Sequence, residues 1–471
     1  MKRRNILKMF PASLALGALG SSAFSAGIPL SQQYLKKVRH ILHTIRKTQS
    51  ENLLEAAHII ARAHLQGRTC WYSWDMGHSV TADLFEGRNA VPKVITVGYD
   101  PKKATEGDVM LASIWSGVHA YISGMGFGDG DKPKITTPAE AKAAGVTIIG
   151  GPSPWSGDSA GDENITYETA KYKIKPSADI WIETGATQRG GVMMLPGAAT
   201  QMGPVSGVVG MVTYWMIAAD VCRILAREGK SLPVQGDEPA LSGNIPYADL
   251  DAPLMDDYFD VLMNQHEMIG AEAGYIREAA NMAVDTVLAG GKVYGYSHDR
   301  NSLAYESQTR RGGLTITKGL FYEDGELTNM GQPFTGKKGD TVVLGISKPD
   351  DKLDLKNLAE FKKRGMKTIS IGPMTRDLKI GGGDTVPSMS DIHIGRMCDT
   401  YGIFALPGFE QKICPTSGAM LNQTFWAMCF DMAEEIMRRT GNTPGVYMSG
   451  AIEGGLDHLA RVNQFYDERG Y

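Results

Sequence analysis

His298 and Glu306 stand close together in the second half of the chain, an imidazole in a polar loop and a carboxylate at the first turn of a helix beyond it. A carboxylate base with an imidazole partner can move a proton between neighbouring carbons, a common form of general acid–base chemistry. Enolisation of this kind also needs donors that hold the oxyanion. Loops rich in hydroxyl and amide groups supply candidates: Ser297, Asp299, Asn301, Ser302 and Ser347 in the second half, and Ser73, Asp75, His78, Ser79, Ser116 and Gly117 in the first. Thr416 and Ser417 open a helix whose free backbone N–H groups suit an anion or a hydroxyl. His458, beside Asp457 and close to a Gly-Gly turn, completes the set. Each has a plainer competing use: Glu306 as a surface helix charge, His78 as a helix cap, Asp457 and His458 as caps of the last helix. The histidines are scattered, so the sequence predicts no metal site, and no segment calls for another cofactor. Gly124, Gly126 and Gly128 imitate a dinucleotide loop, but no helix opens after them.

An internal repeat must position these residues. Leu195-Pro196-Gly197, Pro204, Ser206-Gly207, Thr213-Tyr214-Trp215 and Asp220 recur in the same order and spacing as Leu406-Pro407-Gly408, Pro415, Ser417-Gly418, Thr424-Phe425-Trp426 and Asp431. Tyr34, Gly67, Tyr72-Ser73 and Asp75 likewise return as Tyr258, Gly291, Tyr296-Ser297 and Asp299. A repeat this long is a duplicated domain rather than a solenoid. The expected division is 27–250 and 251–471, each long enough to bury a core of its own. In this alignment Ala82 stands opposite Glu306 and Asp83 is one position off, so the first half offers no equivalent carboxylate.

Within one copy the pattern is α/β. Leu35, Val38, Leu42, Ile45 and then Leu53, Ala57, Ile60 and Ala61 recur at helical spacing, as two helices or one long broken one. Short apolar strands follow at Arg68–Ser73, Asp108–Ile114, Val146–Ile149 and Ile180–Ile182, and in the second copy at Lys292–Tyr296, Thr341–Ile346, Lys367–Ile371 and Ile392–Ile394. Strands alternating with helices predict a central parallel sheet covered on both faces. Ligands of such sheets sit at the carboxyl ends of the strands, where the polar loops fall.

Residues 1–26 read as an export signal. Arg3 and Arg4 lie in a charged start, no further charge follows Lys8 until Lys36, and Ala23-Phe24-Ser25 supplies small residues for cleavage. The adjacent arginines resemble a twin-arginine signal, which implies a periplasmic protein. Removing the segment loses Lys2, Arg3, Arg4 and Lys8 and takes the net charge from −4 to −8, which argues against nucleic-acid partners. The uncharged run between Arg189 and Asp220 is broken by Pro196, Pro204 and several glycines, so a turn and a buried helix are expected there rather than a membrane span. The five cysteines are odd in number and lack ligand spacing, and Cys70 and Cys222 fall in apolar stretches as buried thiols.

With these motifs in place, the chain resembles the SIS (sugar isomerase) domain superfamily, closest to its uncharacterised phosphosugar-binding branch. Tyr34, Lys37-Val38-Arg39, Thr48-Gln49, Glu51-Asn52 and Glu55-Ala56-Ala57 resemble that branch's N-terminal helices. His298, Leu303-Ala304, Glu306, Arg310 and Gly312-Gly313-Leu314 resemble its GHSxxLAEExFxRAGGL segment, and Pro415-Thr416-Ser417 through Asp457-His458 its C-terminal end. The resemblance implies two tandem three-layer α/β/α sandwiches of flavodoxin-like type, paired as a pseudo-dimer within the chain, with further homo-oligomers open. It implies a sugar or phosphosugar ligand and isomerisation by proton transfer, with non-catalytic binding or sensing of a carbohydrate derivative as the alternative. The second ligand loop departs from the family's SxSGxT pattern: Ser116-Gly117 is followed by Val118-His119, and Ser347 by Lys348-Pro349-Asp350. A neutral or carboxylated sugar derivative therefore stands beside a phosphosugar as the expected ligand.

Overall fold

The computed structural model describes residues 27–72, 80–84, 88–112, 137–151, 174–185, 191–236, 240–241, 245–298, 303–308, 311–323, 325–329, 331–377, 379–395, 397–448 and 454–471. The expected export segment, 1–26, lies outside them.

The first half runs α1 (Leu30–Leu65), β1 (Cys70–Tyr72), α2 (Val80–Leu84), β2 (Thr96–Val97), β3 (Val109–Ala112), α3 (Pro138–Ala143), β4 (Thr147–Gly150), β5 (Ile180–Trp181) and α4 (Ser206–Arg227). The second runs α5 (Leu254–Ala271), α6 (Ala273–Leu288), β6 (Val293–Tyr296), α7 (Leu303–Glu306), β7 (Thr317–Glu323), β8 (Glu326–Asn329), β9 (Gln332–Pro333), β10 (Thr341–Gly345), α8 (Lys352–Lys363), β11 (Lys367–Ile371), α9 (Val386–Met389), β12 (Ile392–Ile394), α10 (Ser417–Thr440) and α11 (Gly455–Arg469). The first helix is a single 36-residue element, whereas its counterpart is interrupted at Glu272 into α5 and α6.

The first sheet has the order β2-β1-β3-β4-β5, all parallel. The second repeats that order as β7-β6-β10-β11-β12, also parallel, and adds the antiparallel strands β8 and β9 at its edge. This is an α/β fold with a flavodoxin-like strand order, in which the chain switches sides between the first and third strands. Two strands went unread in the sequence. β2 is only two residues long, and β7 mixes charged and apolar residues around Gly319.

Strand residues alternate between two environments, as the pleat requires. Cys70, Tyr72, Val109 and Leu111 of the first sheet, and Val293, Val343, Ile369 and Ile371 of the second, all belong to one continuous apolar core. Their neighbours point outward into two smaller cores. Trp71, Met110 and Ile148 meet Ala141 of α3, while Tyr294, Val342 and Leu344 meet Leu358 and Phe361 of α8. The layers are therefore α3, first sheet, central helices, second sheet, α8. The central layer belongs to both halves: α1 packs on α4 and α10, α5 packs on the same two, and α4 and α10 touch each other. The expectation of a separate core for each half gives way to a shared one, because the sheet-facing helices are apolar on more than one side. In α4 nearly every residue is buried. It is the one described helix long and apolar enough to cross a membrane, and it lies inside the protein. All five cysteines are free and buried.

The repeated Leu-Pro-Gly turns cross the junction. Thr443 of the second half donates its hydroxyl to the carbonyl of Pro196, and Gly408 lies against Ser231 of the first half. Both glycines have positive φ, 76° and 83°, which a side chain would strain.

A shared core predicts one cooperative unfolding transition for residues 27–471, seen alike by circular dichroism and by tryptophan fluorescence. The segments 27–250 and 251–471 made separately should aggregate or expose apolar surface. Two resolved transitions, or stable monomeric halves, would contradict this account.

Candidate functional site

Glu306 ends the short helix α7 and is 1% exposed, with its Oε2 accepting a 2.9 Å hydrogen bond from the indole N–H of Trp426 in α10. The repeated tryptophan of the first half does the same: Trp215 in α4 donates to Asp83 Oδ2 of α2 at 3.0 Å. Asp83 is thus the equivalent of Glu306 that the sequence alignment failed to find. The one-residue drift hid it, and the fold absorbs the drift with a shorter side chain. Arg88 follows Asp83 at the same distance in sequence as Arg311 follows Glu306.

Around these carboxylates the halves interlock. Arg88, 1% exposed, contacts Asp83 Oδ1 at 3.1 Å and donates to Ser417 Oγ of the second half at 3.1 Å. The Asp83 carboxylate rests against Gly418, where a Cβ would collide with it. The helix start predicted to cradle an anion therefore receives one from the protein itself, at the positive end of α10. Thr416 Oγ1 is buried there without a hydrogen-bond partner among the described residues. Backbone bonds cross in mirrored fashion: Gly203 N–H donates to Gly312 O and Cys414 N–H to Ala90 O, at 2.9 and 3.0 Å. The first-helix tyrosines are exchanged as well. Burial, aided by the nearby Glu306 carboxylate, pushes the Tyr34 hydroxyl well above its ordinary range. Burial, with Cys414 and Asp83 adding to it and Arg88 opposing it, does the same to Tyr258.

A second cluster lies at the carboxyl ends of β6 and β10, the switch point of the second sheet. Here His298 Nδ1 is 2.8 Å from Asp354 Oδ1, and Nε2 is 3.6 Å from Asp351 Oδ1. Asp351 also caps α8, accepting N–H bonds from Leu353 and Asp354 at 2.8 and 3.0 Å. The imidazole is thus held by a nearly buried carboxylate while a fifth of it stays exposed. A His held at Nδ1 presents Nε2 for proton transfer. Ser297, 2% exposed, buries an Oγ that has no hydrogen-bond partner among the described residues, and Ser347 follows the neighbouring strand β10. His298, Asp351 and Asp354 each offer one atom within 4.8 Å of the others, a set able to hold a divalent cation. Spacing concealed it, since Asp354 is 56 residues from His298.

His458 is buried and its Nε2 contacts Val446 O at 2.7 Å, tying α11 to the chain before it. Glu306 and His298 follow the same strand, but one faces the junction helix and the other the start of α8. Ser73, Asp75, His78, Ser79, Ser116, Gly117, Asp299, Asn301 and Ser302 lie outside the described residues.

Replacing Trp215 or Trp426 by Phe should cost about 1–3 kcal/mol each, because a buried carboxylate loses a donor it cannot replace. Urea denaturation of the two single variants checks this, and a neutral result at either position would remove that carboxylate's structural role. A pH effect is also expected at His393 on β12. Its Nδ1 lies 2.8 Å from Ser370 Oγ, and burial brings its pKa down from 6.5 to about 4. Between those values the unfolded chain binds the extra proton, so stability is full above pH 6.5 and falls as pH drops toward 4, by on the order of 3 kcal/mol. The His393→Gln variant should lack that slope.

No family model matches the chain. The UPF0309 protein lmo0025 of Listeria monocytogenes is 24% identical over 222 residues, which is 43% of this chain and 92% of that protein. Nearly all of that relative is thus accommodated in less than half of the present chain. Among solved structures, the chain is similar to the C-terminal domain of glucosamine-fructose-6-phosphate aminotransferase from Francisella tularensis, with a TM-score of 0.47, 10% identity, and 89% of this chain and 99% of that one covered. A Salmonella typhimurium LT2 protein provisionally assigned to sugar binding gives a TM-score of 0.45 and 10% identity, covering 87% and 99%. The strand order, rather than these scores, establishes the fold.

Proposed function

We propose that the chain binds a sugar derivative in the crevice between β6 and β10 and isomerises it by proton transfer, with His298 as the group that carries the proton. The observation behind this reading is the His298–Asp354 bond at the switch point of the second sheet. A fixed imidazole at the carboxyl ends of a parallel sheet sets a proton carrier where ligands of such sheets sit. Asp354 fixes the ring and favours its charged form once the proton is taken up. The SIS-like motifs around His298 support a sugar as the ligand, phosphorylated or not. Catalysis by Glu306 is the less favoured version, because its carboxylate is enclosed and bonded to Trp426.

That same enclosure favours the second reading, a protein that binds or senses a carbohydrate derivative without turning it over. The proposal extends to the chain's organisation: an export signal over 1–26 leading to the periplasm, and two SIS-like units, 27–250 and 251–471, acting as an internal dimer.

Titration calorimetry with glucose, glucose 6-phosphate and glucosamine 6-phosphate tests binding. The His298→Asn variant should bind at least tenfold more weakly, about 1.4 kcal/mol. Exchange of the substrate's carbon-bound proton with deuterated solvent, followed by NMR, tests catalysis. Exchange by the parent that His298→Asn loses supports the isomerase. Binding without exchange assigns the chain to the sensing class, and no binding of any of these sugars sinks both readings.

A further inference from the structure

The start of α8 meets the end of β6 along a stripe of polar side chains. Asp351, Asp354 and Asn357 recur at three-residue spacing, so they follow one another along one face of the helix. Tyr296 ends β6, and His298 stands two residues beyond it. The contacts pair in order. Asp354 Oδ1 is 2.8 Å from His298 Nδ1, and one turn further along α8 Asn357 Nδ2 donates to Tyr296 Oη at 2.6 Å.

Asn357 is an unexpected residue for its surroundings. It is 4% exposed, and the residues that continue the buried face of α8, Leu358 and Phe361, are apolar. Tyr296 is fully buried, with its ring edge-on to Phe361 and the centroids 5.5 Å apart. A buried amide costs free energy unless its hydrogen bond is made. An apolar residue at this position would avoid that cost, but apolar contacts are non-directional and would let α8 turn or slide on the sheet. A directed bond fixes the register, as a buried Asn does between paired helices. Asp354 and Asn357 ride on the same helix one turn apart, so a slide that breaks the bond to Tyr296 also carries Asp354 away from His298.

We propose that Asn357, acting through Tyr296, is a positioning residue for His298. It sets the register of α8 that brings Asp354 onto Nδ1 and so orients the imidazole in the crevice. Its meaning for function rests on His298 as the proton carrier, whereas the register itself can be read without any sugar present.

The test is NMR of the whole chain, isotopically labelled in its histidines. The imidazole N–H signal lost in both His298→Asn and Asp354→Asn belongs to the His298–Asp354 bond. In Asn357→Leu that proton should exchange with solvent faster by about tenfold or more. Tyr296→Phe keeps the ring against Phe361 and should behave alike, and it decides the matter if Asn357→Leu does not fold. The double variant Asn357→Leu/Tyr296→Phe removes both polar partners, so its urea midpoint should return toward that of the parent. Its His298 proton should nevertheless stay fast. A role confined to packing requires the opposite, with slow exchange recovering as stability recovers. Because no sugar is added, the result stands apart from whether the chain turns a substrate over. Exchange unchanged in the single variants, or restored in the double variant, overturns the proposal. So does a parent with no signal sensitive to Asp354→Asn, since the bond being positioned would then be absent.

Discussion

In each half of this protein a buried carboxylate bonded to an indole N–H holds a short helix beyond the first strand to a long central helix. Taking an ionised carboxyl out of water costs several kcal/mol unless donors surround it. Tryptophan is a donor only, so it satisfies one oxygen and makes no competing demand. The bond from Trp215 to Asp83 fixes α2 against α4, and that from Trp426 to Glu306 fixes α7 against α10. Each carboxylate sits just beyond the first strand of a sheet, and each tryptophan sits in the shared helical layer. The orientation of both sheets about that layer follows from where these two bonds are made.

The junction also explains why small and unusual residues stand where they do. Gly418 leaves room for Asp83, and Cys414, with φ of 63°, takes a left-handed conformation that places its N–H toward Ala90 O. Ala90, whose carbonyl accepts that bond, is also left-handed, with φ of 62°. A non-glycine residue in this region is strained, and the strain persists because bonds from the opposite half hold it. Interlocking of this kind makes the halves mutually dependent, as the shared core already requires.

Much of this was legible in the sequence, for a physical reason. Turn and core residues obey local rules: Leu-Pro-Gly needs positive φ, and a charge-free helix needs burial. The repeat, the parallel strands, the buried Trp215 and Trp426 and the polar strand ends could therefore be read directly. Asp83 could not, because equivalence is set by where a carboxylate oxygen arrives and not by its sequence register. A shorter side chain on a shifted backbone reaches the same indole. Asp351 and Asp354 were hidden differently, by a crossover that brings the start of α8 under β6.

Comparison of the two carboxyl environments bears on where chemistry resides. Asp83 has Arg88 and Trp215, and Glu306 has Trp426, in sites almost closed to solvent. Groups so enclosed hold their partners firmly and cannot meet a substrate without first breaking those bonds. His298 differs in that a fifth of its side chain stays exposed, although Asp351 also stands 3.6 Å from its Nε2. Asp354 fixes its Nδ1, and part of the ring faces the crevice where strand ends of a parallel sheet leave N–H groups and hydroxyls for a ligand. The repeated carboxylates are bonded into the scaffold in both halves, and the chemistry proposed for this chain lies at the rim, where the copies diverge in sequence. A duplicated chain keeps its junction symmetric because packing demands it, and is free to alter one rim without disturbing the other.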